Sequence, residues 1–413
     1  MMDNDNNVDA ENSATESAEP STDKAALGAS SPGTEPAAAP APAKKAAGAG
    51  SKTFEAPRLH LSNAPHVRSA ISVPMVMKAV LLALAPAFVA SVVFFGLNAI
   101  LLTAVCIASA VGAEYLSNKV MKRAQTINDY SAVITGVLVA FNVSPSLPLW
   151  MAALGSIFAI VVAKMVFGGL GFNFINPALA GRAFLVASYP APMTSFPATN
   201  FGSINGLATA SSTHAITDGA TSGATSSASA AVDAISSATP LEAIKFAVAD
   251  GSYKVSEFSQ ALTDLFIGNV GGCIGETSAL ALLLGGIFLM AIRVIDFRIP
   301  LFYILTVFAL FWVANGTNSY FTADSLITPT FHILGGGLFL GAFFMATDPV
   351  TSPITPRGRI IFGVGCGLLT FVIRKYGGYP EGVSFSIMLM NLVVPLIDRC
   401  TRPAIYGEVK KRG

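Results

Sequence analysis

Residues 136–148 read GVLVAFNVSPSLP, and residues 341–353 read GAFFMATDPVTSP. When these stretches are aligned, Gly136 matches Gly341 and Pro148 matches Pro353. Each stretch is followed by one more apolar run and then by an aromatic-Gly-Gly turn, at residues 167–169 and 376–378. The match predicts an internal repeat; the alternative is coincidence between two Gly-rich apolar sequences.

Apolar residues dominate the 413-residue chain, of which 53% is hydrophobic and 12% is charged, with a mean hydropathy of +0.61. A soluble domain carries about twice that charged fraction, and a helix needs about 20 residues to cross the hydrocarbon core of a bilayer. Ten apolar runs approach this length: 77–95, 97–116, 129–145, 148–166, 176–190, 276–294, 300–316, 331–346, 359–374 and 383–399. The sequence therefore predicts an all-α polytopic membrane protein with about ten transmembrane helices in two five-helix repeats. Because five is odd, the second repeat is inverted relative to the first.

The same runs define the predicted domains. Residues 1–52 are acidic and then rich in Ala, Pro, Ser and Gly, a composition typical of a disordered tail. Residues 53–76 contain three prolines and predict an interfacial lead-in. The two repeats cover residues 77–190 and 271–399, a loop covers 191–270, and a basic tail covers 400–413.

Basic residues predict the orientation, because Lys and Arg accumulate in cytoplasmic segments. Many basic residues lie in the connections between apolar runs on one predicted side of the membrane and in the C-terminal tail. They are Lys119, Lys122, Arg123, Arg293, Arg298, Arg357, Arg359, Arg399, Arg402, Lys410, Lys411 and Arg412. Arg374 and Lys375 are exceptions to this asymmetry. Both termini are therefore predicted to be cytoplasmic. The 191–270 loop, with any site that it carries, is predicted to be extracytoplasmic.

Several kinds of site are not expected in this chain alone. A net charge of +1 argues against binding to nucleic acid. The four cysteines lie far apart without a CxxC motif and the four histidines are scattered, so neither a disulfide framework nor a metal site is predicted.

The loop ends in DAISSATPLE at residues 233–242, which contains a signal for a helix start. Thr239 can cap the helix, Pro240 suits its first position, and Glu242 completes a capping box. By local signal alone, this is only a capped helix.

The same stretch resembles the acceptor motif Asp-x-x-Ser-x-Ala-Thr of flavin transferases, which join FMN to a threonine through a phosphoester. Asp233, Ser236, Ala238 and Thr239 match the motif, while Ser237 stands where glycine is common. A helix N-terminus would also favour the anionic phosphodiester. Residues 218–225 also contain SGAT, but there the aspartate precedes Thr225 by seven residues rather than six and no helix signal follows, so Thr239 is preferred.

Other segments extend the resemblance over roughly residues 60–405. GGLGFNFINPALAGR at 168–182, GN at 268–269, GETS at 275–278 and MATDP at 345–349 are similar to segments shared by the Rnf D and Nqr B subunits. The resemblance implies a subunit of a bacterial inner-membrane Rnf complex, with covalent FMN and a second, non-covalent flavin (riboflavin or FMN). Such a subunit passes electrons between ferredoxin and NAD, coupled to Na⁺ or H⁺ movement. The resemblance also implies partner subunits of the A, B, C, E and G types and a flavin transferase for maturation. It implies that this chain alone catalyses no complete reaction and has no catalytic residue.

Polar residues within the apolar runs are the remaining candidates. Arg182, Asn173 and Asn176 are predicted to line the second flavin site, with residues 268–278 as the rival lining. Arg182 can instead form an ion pair with a neighbouring helix. The carboxylates of Glu114, Glu276 and Asp348 are candidates for an ion path, or alternatively structural caps.

Two other functions remain open. An Nqr B-like subunit would share the fold and the covalent flavin but would use quinone, and the Ala-Thr-Pro-Leu sequence at 238–241 favours the Rnf type. An inverted five-helix repeat also suits a urea-transporter-like channel without a redox role, which would have no need for the flavin acceptor motif.

Overall fold

The computed structural model describes residues 71–196, 241, 262–314, 323–377 and 381–402. The main helices in these ranges are α1 (Val73–Phe95), α2 (Leu97–Val120), α3 (Ser131–Phe141), α4 (Leu149–Ile160), α5 (Pro177–Ser188), α6 (Ala279–Ala291), α7 (Arg298–Ala314), α8 (Ala323–Leu334), α9 (Pro356–Tyr376) and α10 (Val383–Cys400). The predicted 1–52 tail, most of the 53–76 lead-in, most of the 191–270 loop and nearly all of the 400–413 tail lie outside the described residues.

Four helices in the described part are long and apolar enough to cross a membrane: α1, α2, α9 and α10. A fifth candidate is formed by Leu326–Leu334 and Leu338–Met345, which are bent by 61° relative to each other. The other main helices are shorter and apolar. The prediction of a helical, multi-pass membrane protein is confirmed at this level.

Capping residues fix the helix starts that frame the interior. The side-chain oxygen of Asn176 accepts from the Ala178 N–H at 3.0 Å at the start of α5. Ser278 caps α6 and Thr355 caps α9 in the same way, at 3.3 and 3.0 Å. Because each oxygen satisfies an N–H that the helix leaves unpaired, these starts are encoded locally.

The two halves of the described bundle share three helix–helix contacts. In the first half, α2 packs against α3 and α4, and α4 against α5; in the second, α7 packs against α8 and α9, and α9 against α10. The halves meet through α1 against α6 and through α5 against α10. These two helix–helix contacts therefore join helices that occupy the same ordinal place in each half.

Glycines allow these helices to approach closely. A Cβ on Gly136 of α3 would lie 2.9 Å from the Cys106 carbonyl oxygen of α2. A Cβ on Gly181 of α5 would lie 2.7 Å from the Gly155 carbonyl oxygen of α4. Backbone-to-backbone packing at small residues is the usual way in which membrane helices associate.

The predicted span over 331–346 differs from the structure, which interrupts it at Gly335-Gly336-Gly337. Gly336 and Gly337 have φ of +70° and +65°, a conformation that glycine adopts without the usual steric cost. The chain then continues through Leu338–Leu340 into a π-helical turn, Gly341–Met345. Broken helices at membrane depth are tolerated where the protein itself satisfies the freed backbone groups.

Candidate functional site

A buried charge cluster lies where α3, α5 and the approaches to α6 and α10 meet. Arg182 of α5 forms an ion pair with Glu381, which immediately precedes α10. Its Nη1 donates to the side-chain oxygen of Asn142 at 2.8 Å, and its Nη2 lies 3.8 Å from the sulfur of Cys273. The guanidinium thus joins the two halves of the chain through buried, charge-assisted contacts.

The acidic side of this cluster has the composition of a cation site. Cys273, Glu276 and Glu381 each place a potential ligand atom within 4.8 Å of the others. The Cys273 N–H donates to Glu276 at 3.2 Å, which orients that carboxylate. Arg182 supplies positive charge to the group through Glu381. Sequence spacing could not reveal the cluster, because Cys273 and Glu381 are 108 residues apart.

Arg374, near the end of α9, donates hydrogen bonds to backbone carbonyls of the interrupted helix. Its guanidinium donates to the carbonyl oxygens of His332, Gly335, Gly336 and Glu381 at 2.5, 3.2, 3.0 and 2.8 Å. A buried arginine needs such acceptors, and an unwound segment needs such donors. This internal role explains why Arg374 departs from the basic-residue asymmetry.

A small cavity lies beside these groups. Its volume is about 20 Å³, and it is lined by Leu241, Leu265, Val270, Gly271, Gly272, Glu276, Thr277, Leu334, Gly335, Gly336 and Glu381. That space suits a water-sized molecule, not an isoalloxazine ring, so the described residues do not themselves form a flavin pocket here. Buried Leu241 belongs to the wall and is two residues from Thr239 in sequence. Thr239, Asp233, Ser236, Ser237, Ala238 and the alternative Thr225 all lie outside the described residues.

The three residues predicted to line a second flavin differ in whether their polar side-chain atoms already have partners. Asn176 is fully engaged, because it caps α5 and donates to the Met345 carbonyl at 3.2 Å. Arg182 is engaged by Glu381 and Asn142. The side-chain nitrogen of Asn173 donates to Ile175 at 3.2 Å, but its buried oxygen has no hydrogen-bond partner in the described structure. Of the three, Asn173 therefore retains a free acceptor for a ligand.

The glycine-rich loop next to Asn173 leaves room around its backbone. Gly169 and Gly171 have φ of +100° and +96°, which side chains rarely tolerate. A Cβ added at either position would meet no atom within 4 Å. The loop thus combines open backbone with one unpartnered buried acceptor, features that fit a bound polar ring system.

A second buried ion pair lies at the end of α2. Lys164 donates to Glu114 at 3.0 Å and to the Ser131 hydroxyl at 2.8 Å, and the two charged side chains are 2% and 1% exposed. Thr126 donates to the other Glu114 oxygen at 2.5 Å. Lys164 lies in a π-helical turn, Val161–Met165, that continues α4. Such turns are frequent at functional sites.

The other two acidic candidates also have polar partners. Asp348 is half-buried and accepts from the Thr351 hydroxyl at 3.0 Å. Glu276 accepts from Cys273, as described above. All three ion-path candidates therefore combine burial with hydrogen bonding, which is compatible with both the ion-path and the structural interpretation.

Sequence reasoning missed Lys164 and Glu381 and treated Arg374 only as an exception. A charged residue inside an apolar run was the available signal for Lys164. Arg374 gave the same signal, reinforced by its violation of the basic-residue asymmetry. Glu381 follows an aromatic-Gly-Gly turn outside the runs, so no local pattern distinguished it.

Comparison with known proteins gives a consistent result. The family model "NQR2, RnfD, RnfE family" matches residues 60–407. The D subunit of the Na⁺-translocating ferredoxin:NAD⁺ oxidoreductase complex of Acetobacterium woodii is 44% identical over 354 residues, covering 85% of this chain and 96% of that protein. The D subunit of the proton-translocating ferredoxin:NAD⁺ oxidoreductase complex of Clostridium ljungdahlii is 42% identical, covering 84% and 96%. The D subunit of the ion-translocating oxidoreductase complex of Escherichia coli is 38% identical, covering 85% and 99%.

Proposed function

Because the chain belongs to the NQR2, RnfD, RnfE family, we propose that it is the D subunit of an Rnf-type complex in a bacterial inner membrane. In that role it takes part in electron transfer between ferredoxin and NAD, coupled to the movement of Na⁺ or H⁺. The observation that carries the proposal is that relatives named for this role align with at least 84% of the chain, and that the family match includes all ten described main helices. Its partners are then the other subunits of the complex.

The electron-transfer role is tested on the assembled complex that contains this chain. We expect NAD⁺ reduction by reduced ferredoxin, together with ion uptake into sealed vesicles. An Nqr-type complex would instead oxidise NADH with quinone. Quinone reduction without ferredoxin activity would contradict the assignment.

The fold of this subunit is a pair of inverted five-helix repeats. Support comes from the three helix–helix contacts that the α1–α5 half shares with the α6–α10 half. Contacts between α5 and α10 have a reciprocal arrangement. Arg182 within α5 pairs with Glu381, which precedes α10. The side-chain oxygen of Asn391 within α10, in the amide orientation that satisfies more hydrogen bonds, accepts from the Asn176 N–H at 3.3 Å at the start of α5. Each helix start therefore faces the middle of the other helix, as a two-fold relation requires.

Thr239 is the proposed site of covalent FMN, joined through a phosphoester with Asp233, Ser236, Ser237 and Ala238 completing the recognition motif. A flavin transferase performs this step during maturation. The burial of Leu241 supports the proposal, because it anchors the chain two residues beyond Thr239 beside the charge cluster. The cavity of about 20 Å³ is too small for an isoalloxazine ring, so the ring needs space contributed by other residues or subunits.

The covalent site has a direct test. In-gel fluorescence of the denatured chain detects only covalently bound flavin, and peptide mass spectrometry locates it. We expect Thr239→Val to abolish the fluorescence and the FMN mass on the Thr239 peptide, while the matched Thr225→Val retains both. Loss in Thr225→Val with retention in Thr239→Val would contradict the proposal.

A second, non-covalent flavin occupies the glycine-rich loop and Asn173. The unpartnered oxygen of Asn173 supports this position, because a flavin N–H or ribityl hydroxyl would satisfy it. Arg182 and Asn176 then act through the geometry of α5, since their polar atoms are already engaged. Residues 268–278 remain the rival lining. Loss of acid-released flavin in Asn173→Ala, with covalent FMN retained, is the corresponding measurement.

Glu114, Glu276 and Asp348 are the proposed points at which a cation or proton passes. Glu276 has the strongest support, because its carboxylate lies in a group with Cys273 and Glu381 whose potential ligand atoms are all within 4.8 Å of one another. Glu114 is compensated by Lys164, so it would carry an ion only when that pair opens.

A further inference from the structure

A basic cavity lies at the turn between α6 and α7, away from the Arg182–Glu381 cluster. Its volume is about 720 Å³, within the usual range for ligand sites. Arg293, Arg298 and Arg359 line it together with one acidic residue, Asp296. The charged side chains of the lining therefore sum to a net charge of +2.

Two of the arginines are held in place by the aspartate. Asp296 Oδ2 lies 2.9 Å from Arg298 Nη1 and 2.6 Å from Arg359 Nη1. The two arginine side chains are 34% and 32% exposed, so each is partly open to a ligand. Arg359 also donates to the Pro353 carbonyl at 3.1 Å. One carboxylate thus fixes two guanidinium groups while neutralising only one of them.

The pKa of Asp296 keeps this charge balance in place at neutral pH. Partial burial opposes ionisation, but the Arg298 N–H, the Arg359 side chain and both positive charges outweigh it and lower the pKa below its ordinary value of 3.8. The aspartate is therefore ionised at pH 7, and the excess of two positive charges remains.

Arg293 supplies the third charge and is exposed. No described residue forms a side-chain hydrogen bond or ion pair with it, and its backbone is left-handed at φ +57°. That conformation is uncommon for a residue with a side chain. Arg293 ends the α6 side of the cavity with a guanidinium that is available to an anion.

The cavity lies at the ends of two apolar helices, α6 and α9. It is bounded by the first turn of α9, a helix long and apolar enough to cross a membrane, and by the end of α6. Two exposed apolar residues belong to its lining, Phe297 at 54% and Ile354 at 79%. A basic recess with an apolar border at the end of a membrane helix fits an amphipathic anion, and basic pockets between membrane helices on the cytoplasmic side bind such lipids.

We propose that this cavity binds one anionic phospholipid, with its phosphodiester groups on Arg293, Arg298 and Arg359 and its acyl chains against Phe297 and Ile354. The two uncompensated charges match a lipid with two phosphodiesters, such as cardiolipin. The cavity lining contains none of the residues proposed to hold a flavin.

The test uses the full chain purified in detergent, with tetraoleoyl-cardiolipin as the probe and native mass spectrometry as the readout. Arg293→Gln removes one unpartnered charge and should weaken cardiolipin binding about fivefold, since one basic residue near a lipid surface is worth about 1 kcal/mol. Lys122→Gln is the matched control. Lys122 is also exposed, follows the end of α2 and has a positive φ of +53°, but it does not line the cavity.

A variant of opposite sign strengthens the test. Asp296→Asn raises the net charge of the lining to +3 and removes the anion that competes for Arg298 and Arg359, so cardiolipin binding should become tighter. Binding that falls equally in Arg293→Gln and Lys122→Gln would overturn the proposal. It would also be overturned if phosphatidylcholine bound as well as cardiolipin, or if inorganic pyrophosphate displaced cardiolipin, which would indicate a site for soluble phosphate.

Discussion

Glu114 and Lys164 form a buried ion pair whose contribution to stability can be measured by single and double substitutions. Removing one partner leaves an uncompensated buried charge, whereas removing both leaves two neutral side chains. We expect Glu114→Gln or Lys164→Met alone to lower the free energy of unfolding by about 3–5 kcal/mol. The double variant should cost less than the sum of the two.

Unfolding of the purified chain in detergent micelles measures this double-mutant cycle. Lys119→Met is the control, because Lys119 lies on the same helix as Glu114 but is exposed, and it should change stability little. Additive single and double effects would mean that the two side chains do not interact energetically, and would favour independent roles for Glu114.

At the scale of residues, sequence predicts local partners and misses distant ones. The N-cap of α5 could be predicted from Asn176 followed by Pro177, because the capping oxygen and the N–H that it accepts are two residues apart. The Arg182–Glu381 pair could not, because it depends on how α5 and α10 cross. Arg182 was therefore open to either an anion or an ion-pair partner, and the described structure gives it the latter.

At the scale of elements, the approach of α1 to α6 depends on Gly285. A Cβ at this position would overlap the Ala83 carbonyl oxygen of α1, and backbone atoms cannot move aside as a flexible side chain can. We expect Gly285→Ala to destabilise the chain by about 1–3 kcal/mol. Its apparent melting temperature in detergent is the measurement.

Gly112 of α2 provides the matched control with the opposite sign. It is exposed, and a Cβ there would meet no atom within 4 Å. Gly112→Ala should raise stability by about 0.5–1 kcal/mol, because glycine is disfavoured within a helix. Equal effects of the two substitutions would mean that helix propensity, rather than the α1–α6 contact, governs position 285.

Element positions were largely predictable, and their shapes less so. The run at 97–116 corresponds to α2, Leu97–Val120, because an apolar run of span length has few alternatives to a helix. The run at 331–346 is interrupted because three successive glycines occupy residues 335–337. Those glycines were visible in the sequence, but the bend of 61° also depends on Arg374 from α9, which no local pattern supplies.

At the scale of the whole molecule, the two halves differ in the chemistry of their buried cations. Lys164 and Arg374 both lie shortly before the aromatic-Gly-Gly turn of their half, and both are buried. Lys164 pairs with a carboxylate, whereas Arg374 binds backbone carbonyls at a broken helix. If the halves are inverted, these cations lie toward opposite membrane faces, so an ion crossing the protein would meet a different chemical environment at each end.

The distribution of basic residues predicts the orientation of the chain, and cysteine labelling can test this prediction. We expect both termini to be cytoplasmic and the 191–270 loop to be extracytoplasmic, because Lys and Arg accumulate on the cytoplasmic side. Cys106, Cys273 and Cys366 are buried and Cys400 is exposed, so Cys400→Ser leaves a background without an accessible thiol among the native cysteines. In that background, an impermeant maleimide should label Ala215→Cys in intact cells and Glu408→Cys only after permeabilisation. In the chain that retains it, Cys400 should also be labelled only after permeabilisation, since it ends α10 directly before the basic tail in the sequence. Labelling of position 408 but not 215 in intact cells would invert the orientation, and would move the proposed phospholipid site to the opposite leaflet.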